Sequence, residues 1–313
     1  MKRIALAALF ASSLASRLAF ADVPADAWAA AKTRLPPAPV VVASANIQLL
    51  KGSAIFATMY SKALSESPET ARWMSGAKTQ CGIDLVDAVR GVTLALDDKG
   101  TGVFFFSTSG LTAEALGECV KKVAKAQNPK AMFADTKPDA AGLIDLYDGT
   151  AHVYVSVLPN NVFAIATNAG DKSLLLKWIG GKGIPATSEA GKALAALDTN
   201  APIWAVVNKS APFPPIGTAG SPGVMNLAYG TATIAAGRIA GTGTLVTSSP
   251  KAATKVATTV NSELVKTKQG RIAPPMAAVL KGLTVSSAGS NVTVNVSASE
   301  NDAISLMYAL DAK

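Results

Sequence analysis

The chain has 313 residues, of which 49% are apolar and only 16% charged, with 29 basic against 21 acidic side chains. That is enough apolar sequence for one large core or two small ones, and a composition far from that of a disordered chain. The net charge of +8 comes from scattered lysines with no basic stripe interleaved with aromatics, which argues against nucleic-acid binding.

Lys2 and Arg3, an apolar run from Ile4 to Leu14, and Ala19-Phe20-Ala21 together read as a cleavable signal peptide over residues 1–21. Lys2, Arg3 and Arg17 leave with it, so the net charge falls from +8 to +5. No later run reaches the roughly 18 apolar residues a membrane helix needs. The expectation is an exported protein, periplasmic or extracellular, with no integral membrane segment after cleavage. In such an oxidising compartment Cys81 and Cys119 are expected to pair. The bridge would close a loop worth about 3–4 kcal/mol in the chain-entropy model.

Residues 22–39 form a short Ala-rich helix carrying Trp28 and then a Leu-Pro-Pro-Ala-Pro spacer. Val40 to Ala43 is a β-branched run that reads as a strand. Ile47 to Leu64 has the spacing of one amphipathic helix, and Ser67-Pro68-Glu69 starts another with Ser67 as cap. Val92–Leu96 and Val103–Phe106 form a hairpin around Asp98-Lys99-Gly100, followed by a helix from Thr112 to Ala126. Leu143–Tyr147 and His152–Val157 are joined through Asp148-Gly149, and Val162–Ala166 pairs back through Pro159-Asn160-Asn161. Helices capped by Asp171 and by Ser188 complete this half.

The remainder repeats the plan. Gly102 and Gly243 begin similar strands 141 residues apart, and Gly142-Leu143 matches Gly282-Leu283 at a spacing of 140. Ile203–Val207 takes the place of the opening strand, and the Pro-rich stretch Ser210 to Gly223 replaces the first long helix, which prolines at that density cannot sustain. Leu227–Ala236 with Gly243–Thr247, and Leu283–Ser286 with Val292–Val296, are hairpins. A helix from Ser249-Pro250 through Lys268 lies between them, and Asn301–Leu310 closes the chain. The expected fold is α+β: two tandem pseudo-repeats, residues 40–199 and 200–313, each of antiparallel β-hairpins with helices on one face.

Catalytic and cofactor patterns are scarce. One histidine, His152, leaves no histidine-pair metal site, and there is no phosphate loop, no Gly-x-Ser-x-Gly elbow and no calcium loop. Neither a cofactor nor a metal is expected. Ser75-x-x-Lys78 and Ser248-x-x-Lys251 lack the partner motifs of penicillin-recognising enzymes. Asp84 with Asp87, Asp97 with Asp98, and Asp145 with Asp148 are close in sequence, but turns and helix caps account for them.

The one anomaly is the Pro-rich stretch, where Phe213 and Ile216 have little local means of burial, with Trp204 on the strand just before it. The expected function is therefore non-catalytic: an exported binding or envelope-associated protein. It would take a small apolar ligand or a protein partner at the groove between repeats or at the Pro-rich stretch, through Trp204, Phe213 and Ile216. The alternatives are a secreted hydrolase built on aspartates, and a structural or inhibitory interaction protein.

Overall fold

The structure, a computed structural model, describes residues 25–127, 138–147, 152–208, 225–269 and 274–311. The signal-peptide expectation for residues 1–21 and the Pro-rich stretch with Phe213 and Ile216 lie outside these residues. Among the described residues eleven strands form one antiparallel sheet in the order β10-β11-β9-β8-β7-β1-β2-β3-β6-β5-β4. The strands are β1 (Val41–Asn46), β2 (Val89–Leu96), β3 (Gly102–Thr108), β4 (Leu143–Tyr147), β5 (His152–Leu158), β6 (Val162–Ala166), β7 (Ile203–Asn208), β8 (Met225–Ala235), β9 (Arg238–Thr247), β10 (Thr284–Ala288) and β11 (Asn291–Ser299). At its centre β1 pairs with β7, Val41 opposite Val207, so both halves of the chain share a single sheet. Outward from this seam run β2-β3-β6 on one side and β8-β9-β11 on the other. Residue spacing aligns β5 with β11, whereas by sheet position β11 occupies the place of β6.

Helices cover both faces, which corrects the expectation of a single helical layer. On one face α1 (Ala25–Lys32) and α7 (Lys172–Ile179) close over Val42, Phe105, Ala164 and Trp204, burying Trp28, Leu175 and Trp178 among them. Beside them α8 (Glu189–Ala196) packs on Val206 and Leu227. On the other face α2 (Ile47–Leu50) and α3 (Ala54–Glu66) surround Ile203 and Ile239, with α11 (Glu300–Asp311) packed alongside. Successive strand residues point to opposite sides, so Ile203 and Trp204 serve different cores. The same step from Ala164 to Phe163 places α6 (Ala113–Gln127) on the face opposite α7, and the step from Val246 to Leu245 does so for α9 (Pro250–Gln269). The physical reason is already in the strands: Val40 to Ala43 and Ile203 to Val207 are apolar at every position rather than at alternate ones. A strand of that kind needs cover on both sides.

Local chemistry sets the helix boundaries. The single helix expected from Ile47 to Leu64 is broken at Lys51-Gly52-Ser53. There the Ser53 hydroxyl donates to the Leu50 carbonyl at 2.8 Å and accepts from the Phe56 amide at 3.2 Å, so it ends one helix and caps the next. Ser67 precedes α4 (Pro68–Cys81) as expected, but its hydroxyl bonds Thr70 Oγ1 rather than a backbone amide. Gly82, at φ 69°, ends α4 in the left-handed conformation, with the Ile83 amide reaching back to the Ala77 carbonyl. Cys81 is bridged to Cys119, tying the end of α4 to α6. The two helices pack closely: a Cβ at Gly76 would lie 2.6 Å from Val123 Cγ1. Short α5 (Leu85–Ala88) follows, and α10 (Pro274–Lys281) joins α9 to β10.

Candidate functional site

Most of the aspartates singled out from the sequence have structural partners. Asp84 caps α5 through the Val86 amide at 3.1 Å and receives Lys78 Nζ at 2.8 Å. That lysine, with the Asp87 and Val86 amides, holds the Asp84 carboxyl below the usual carboxylate range against the opposing effect of burial. Asp87 pairs with Lys51 at 2.8 Å. Asp97 closes the β2–β3 turn. Burial pushes its carboxyl up, but bonds from the Thr101 hydroxyl and from the Thr101 and Lys99 amides outweigh this and hold it low. Lys78 is thus engaged with Asp84 rather than presented to Ser75, and Ser249 Oγ accepts the Ala252 amide as the cap of α9. A shallow groove of about 260 Å³ between α4 and α6, edged by Arg72, Ser75, Thr79 and Gln80, carries no carboxylate or histidine among its lining residues.

One cluster brings chemistry-bearing groups together, on the outer hairpin β4–β5. The register sets Tyr147 opposite His152 and Asp145 opposite Tyr154, all on one sheet face. His152 Nδ1 lies 2.8 Å and 3.0 Å from the two Asp145 carboxylate oxygens. Its ring is 4.6 Å from that of Tyr147 and runs nearly parallel to that of Tyr154 at 5.8 Å. Lys172 sits over the Tyr154 ring and also bonds Asp139 at 3.3 Å. The Asp145–His152 pair was not foreseen. The signal for it is the pattern Asp-x-Tyr before the turn and His-x-Tyr after it, which becomes a shared face once hairpin register is assigned.

Trp204 lies in the core at 1% exposure, edge-on to Trp28 with ring centroids 4.8 Å apart. Trp28 of α1 covers it on that face of the sheet, and Phe213 and Ile216, its expected partners, lie outside the described residues.

Exposed apolar side chains gather elsewhere, at the C-terminal helices. Val265 on α9 is 53% exposed and Tyr308 on α11 57%. Met276, Val279 and Leu280 of α10, the helix that touches both α9 and α11, are only partly buried. Among the described residues α10 belongs to none of the hydrophobic clusters, although it touches α11 and β11. Its neighbour α11 is firmly seated: Ala303, Ile304 and Met307 pack beside Phe56 and Met59, and buried Glu300 accepts the Ile55 amide at 3.0 Å. An apolar helix that fully buries none of its described side chains, mounted on a seated one, is a surface suited to contact with another molecule.

The fold defines a class, an α+β protein on one antiparallel sheet with a single disulfide; among the described residues no helix is long and apolar enough to cross a membrane. No family model matches the chain, and no curated protein does. Among solved structures it is similar to crystal forms I, III and IV of TP0453. Form I is 11% identical, with a TM-score of 0.48, covering 93% of this chain and 99% of that one. Form III is 10% identical (TM-score 0.48, 88% and 96%), and form IV is 11% identical (0.49, 90% and 98%).

Proposed function

We propose that this is an exported, non-catalytic binding or envelope-associated protein that takes a small apolar ligand or a protein partner. The observation that carries the reading is α10, an apolar helix whose Met276, Val279 and Leu280 are only partly buried and which touches α9 and α11, the helices that carry exposed Val265 and Tyr308. The Cys81–Cys119 bridge supports an oxidising compartment and so a cleaved signal. The use of Asp84, Asp87 and Asp97 in caps, turns and ion pairs supports a function other than carboxylate catalysis. The Pro-rich stretch with Phe213 and Ile216 keeps its proposed role as a second contact region. The proposal includes two pseudo-repeats: β1-β2-β3 and β7-β8-β9 stand in the same order on either side of the seam, which supports a duplication.

Native mass spectrometry of protein purified gently from its own host tests the reading. Mass bound natively, lost on denaturation and lost in Leu280→Asp but kept in Leu49→Asp, is the expected result; Leu49 is a lone exposed apolar residue on α2. A clean chain mass, with no partner cross-linked through α10, would sink it. The hydrolase alternative rests on the Asp145–His152 pair alone. Ester hydrolysis by the purified protein that disappears in Asp145→Asn would favour that alternative.

A further inference from the structure

Among the described residues the sheet ends in two edge strands, β4 and β10, and they are treated differently. In an antiparallel ladder, the two residues of a hydrogen-bonded pair turn their backbone groups toward each other. Those of the next pair turn theirs outward. At the β4 edge the Val157 amide donates to the Gly142 carbonyl, so Leu143, Asp145 and Tyr147 face outward. That edge is occupied and charged. The chain folds back so that the Leu143 carbonyl accepts from the Asp139 amide and the Leu143 amide donates to the Asp139 carboxylate, and Asp145 places a charge in mid-strand. Charges of this kind discourage pairing with a further strand.

At the β10 edge the Ser297 amide donates to the Gly282 carbonyl. With Thr284 opposite Asn295 and Ser286 opposite Thr293, the outward residues are Val285 and Ser287. Only the Val285 carbonyl has a partner there, Asn261 Nδ2 at 3.0 Å, and a carbonyl oxygen has a second lone pair to offer. Among the described residues the Val285 amide and both backbone groups of Ser287 have none. The strand, Thr-Val-Ser-Ser-Ala, has no charge, proline or bulge, and four of its five residues are exposed. It lacks the devices that protect the other edge.

We propose that β10 pairs antiparallel with β10 of a second copy of this chain, about a two-fold axis through Ser286. The outward residues lie one on each side of Ser286, so the edge is complementary to itself. Val285 of each copy meets Ser287 of the other, and amides and carbonyls match in both directions in a ladder of about four hydrogen bonds. Small neutral side chains face one another across the axis. Lys281 of each copy falls at the far end, level with position 291 of the other, so no like charges oppose. The occupant is a second copy rather than an unrelated strand because the pattern fits itself at the one register where every unpaired group is used. This pairing is independent of what α10 binds.

Sedimentation of the full chain over a concentration series, with two variants, tests it. Wild type is expected to dimerise reversibly. Ser287→Pro removes an outward amide that takes no part in the β10–β11 ladder, so the fold is kept while dimer affinity falls about tenfold to a hundredfold. In Ser286→Cys the two new thiols meet as a non-hydrogen-bonded pair with Cα atoms about 4.5 Å apart, within disulfide reach. A covalent dimer should form on oxidation, and none from Ala288→Cys, whose partner in this register is position 284. A wild type that stays monomeric at every concentration, with no cross-link in Ser286→Cys, overturns the proposal. So does a dimer that is indifferent to Ser287→Pro and uncross-linked at 286. A monomer whose Val285 and Ser287 amides are protected by a co-purified peptide would overturn it in favour of a foreign strand.

Discussion

Glu300 joins the last helix to the first half of the chain, and its removal is the most informative perturbation of the fold. It is 6% exposed, and its Oε2 accepts the Ile55 amide at 3.0 Å across 245 residues of sequence. Its own amide donates to the Gly237 carbonyl at 2.8 Å in the β8–β9 turn. Ile55 stands in the first turn of α3, where amides have no partner within the helix. Ser53 satisfies the Phe56 amide and Glu300 satisfies that of Ile55. A bond to a charged group contributes about 1.5–3 kcal/mol, and a carboxylate at a helix N-terminus a further ~0.3–1 kcal/mol. Glu300→Ala should therefore cost roughly 2–4 kcal/mol. At about 2–4 °C per kcal/mol for a chain of this size, Tm should fall by about 5–15 °C. Glu300→Gln keeps an acceptor and loses the charge, so it should cost less than half as much. Differential scanning calorimetry gives the stability, and hydrogen exchange locates the effect: the Ile55 amide should lose protection in Glu300→Ala. A stability change under ~0.5 kcal/mol with Ile55 still protected would refute the assignment of Glu300 as the cap of α3.

Three other outcomes follow from named contacts. Cys81→Ser with Cys119→Ser should lower stability by about 3–4 kcal/mol in the chain-entropy model, read as a fall in urea midpoint matched by reduced wild type; no change would mean the bridge constrains little of the unfolded chain. Asp84 and Asp97 are both held below the usual carboxylate range, so the stability they add is full above about pH 4 and is lost as pH falls through their lower folded values. Thr101→Val, which deletes the hydroxyl bond to Asp97, should make the fall of Tm between pH 5 and pH 2 shallower by about one group's share, and an unchanged slope would count against it. Ala236 sits at φ 47° in the β8–β9 turn, a conformation that costs a residue with a Cβ about 1–2 kcal/mol, so Ala236→Gly should raise stability by ~0.5–1 kcal/mol after the larger unfolded-state entropy of glycine; a destabilised variant would contradict the turn geometry.

What could be read in the sequence was whatever is decided within a few residues. The β2–β3, β4–β5, β5–β6 and β8–β9 hairpins pair as expected, and Asp171 and Ser188 accept the Leu174 and Gly191 amides as caps. Turn chemistry at Asp98-Lys99-Gly100, or at Asn160-Asn161 with their positive φ, acts locally and leaves a local mark. The pairing of β1 with β7 leaves none, because Val41 and Val207 meet across most of the first half of the chain. A strand such as Ile203 to Val207 also cannot reveal from apolarity alone which of its faces is open. For that reason Trp204, expected beside a groove, is enclosed by Trp28. Helix α10 opens on Pro274-Pro275, residues tolerated in a first turn but equally at home in a loop, and no pattern announces it. The Asp145–His152 pair required the register of a hairpin before two strand residues seven apart could be placed side by side.

The distribution of order within the fold favours its margins as the place where other molecules are met. At the seam, β1 and β7 are buried on both faces, with Val42 and Trp204 turned to one core and Ile203 to the other. Opening that seam to admit a ligand would expose Trp28 and Trp204 together, and exposing a large aromatic costs on the order of 3 kcal/mol or more for each. The C-terminal margin requires no such opening. There α10 already leaves Met276, Val279 and Leu280 only partly buried, and β10 turns outward amides that have no partner among the described residues. Glu300 ties α11 to α3, and α10 packs on α11, so a contact at α10 is made on a helix already tied to the first half of the chain. Loosening α11 by Glu300→Ala should then weaken whatever α10 binds without any change at the contact. Leu280→Asp should abolish that binding at unchanged stability. The two effects separate the platform from the surface it carries.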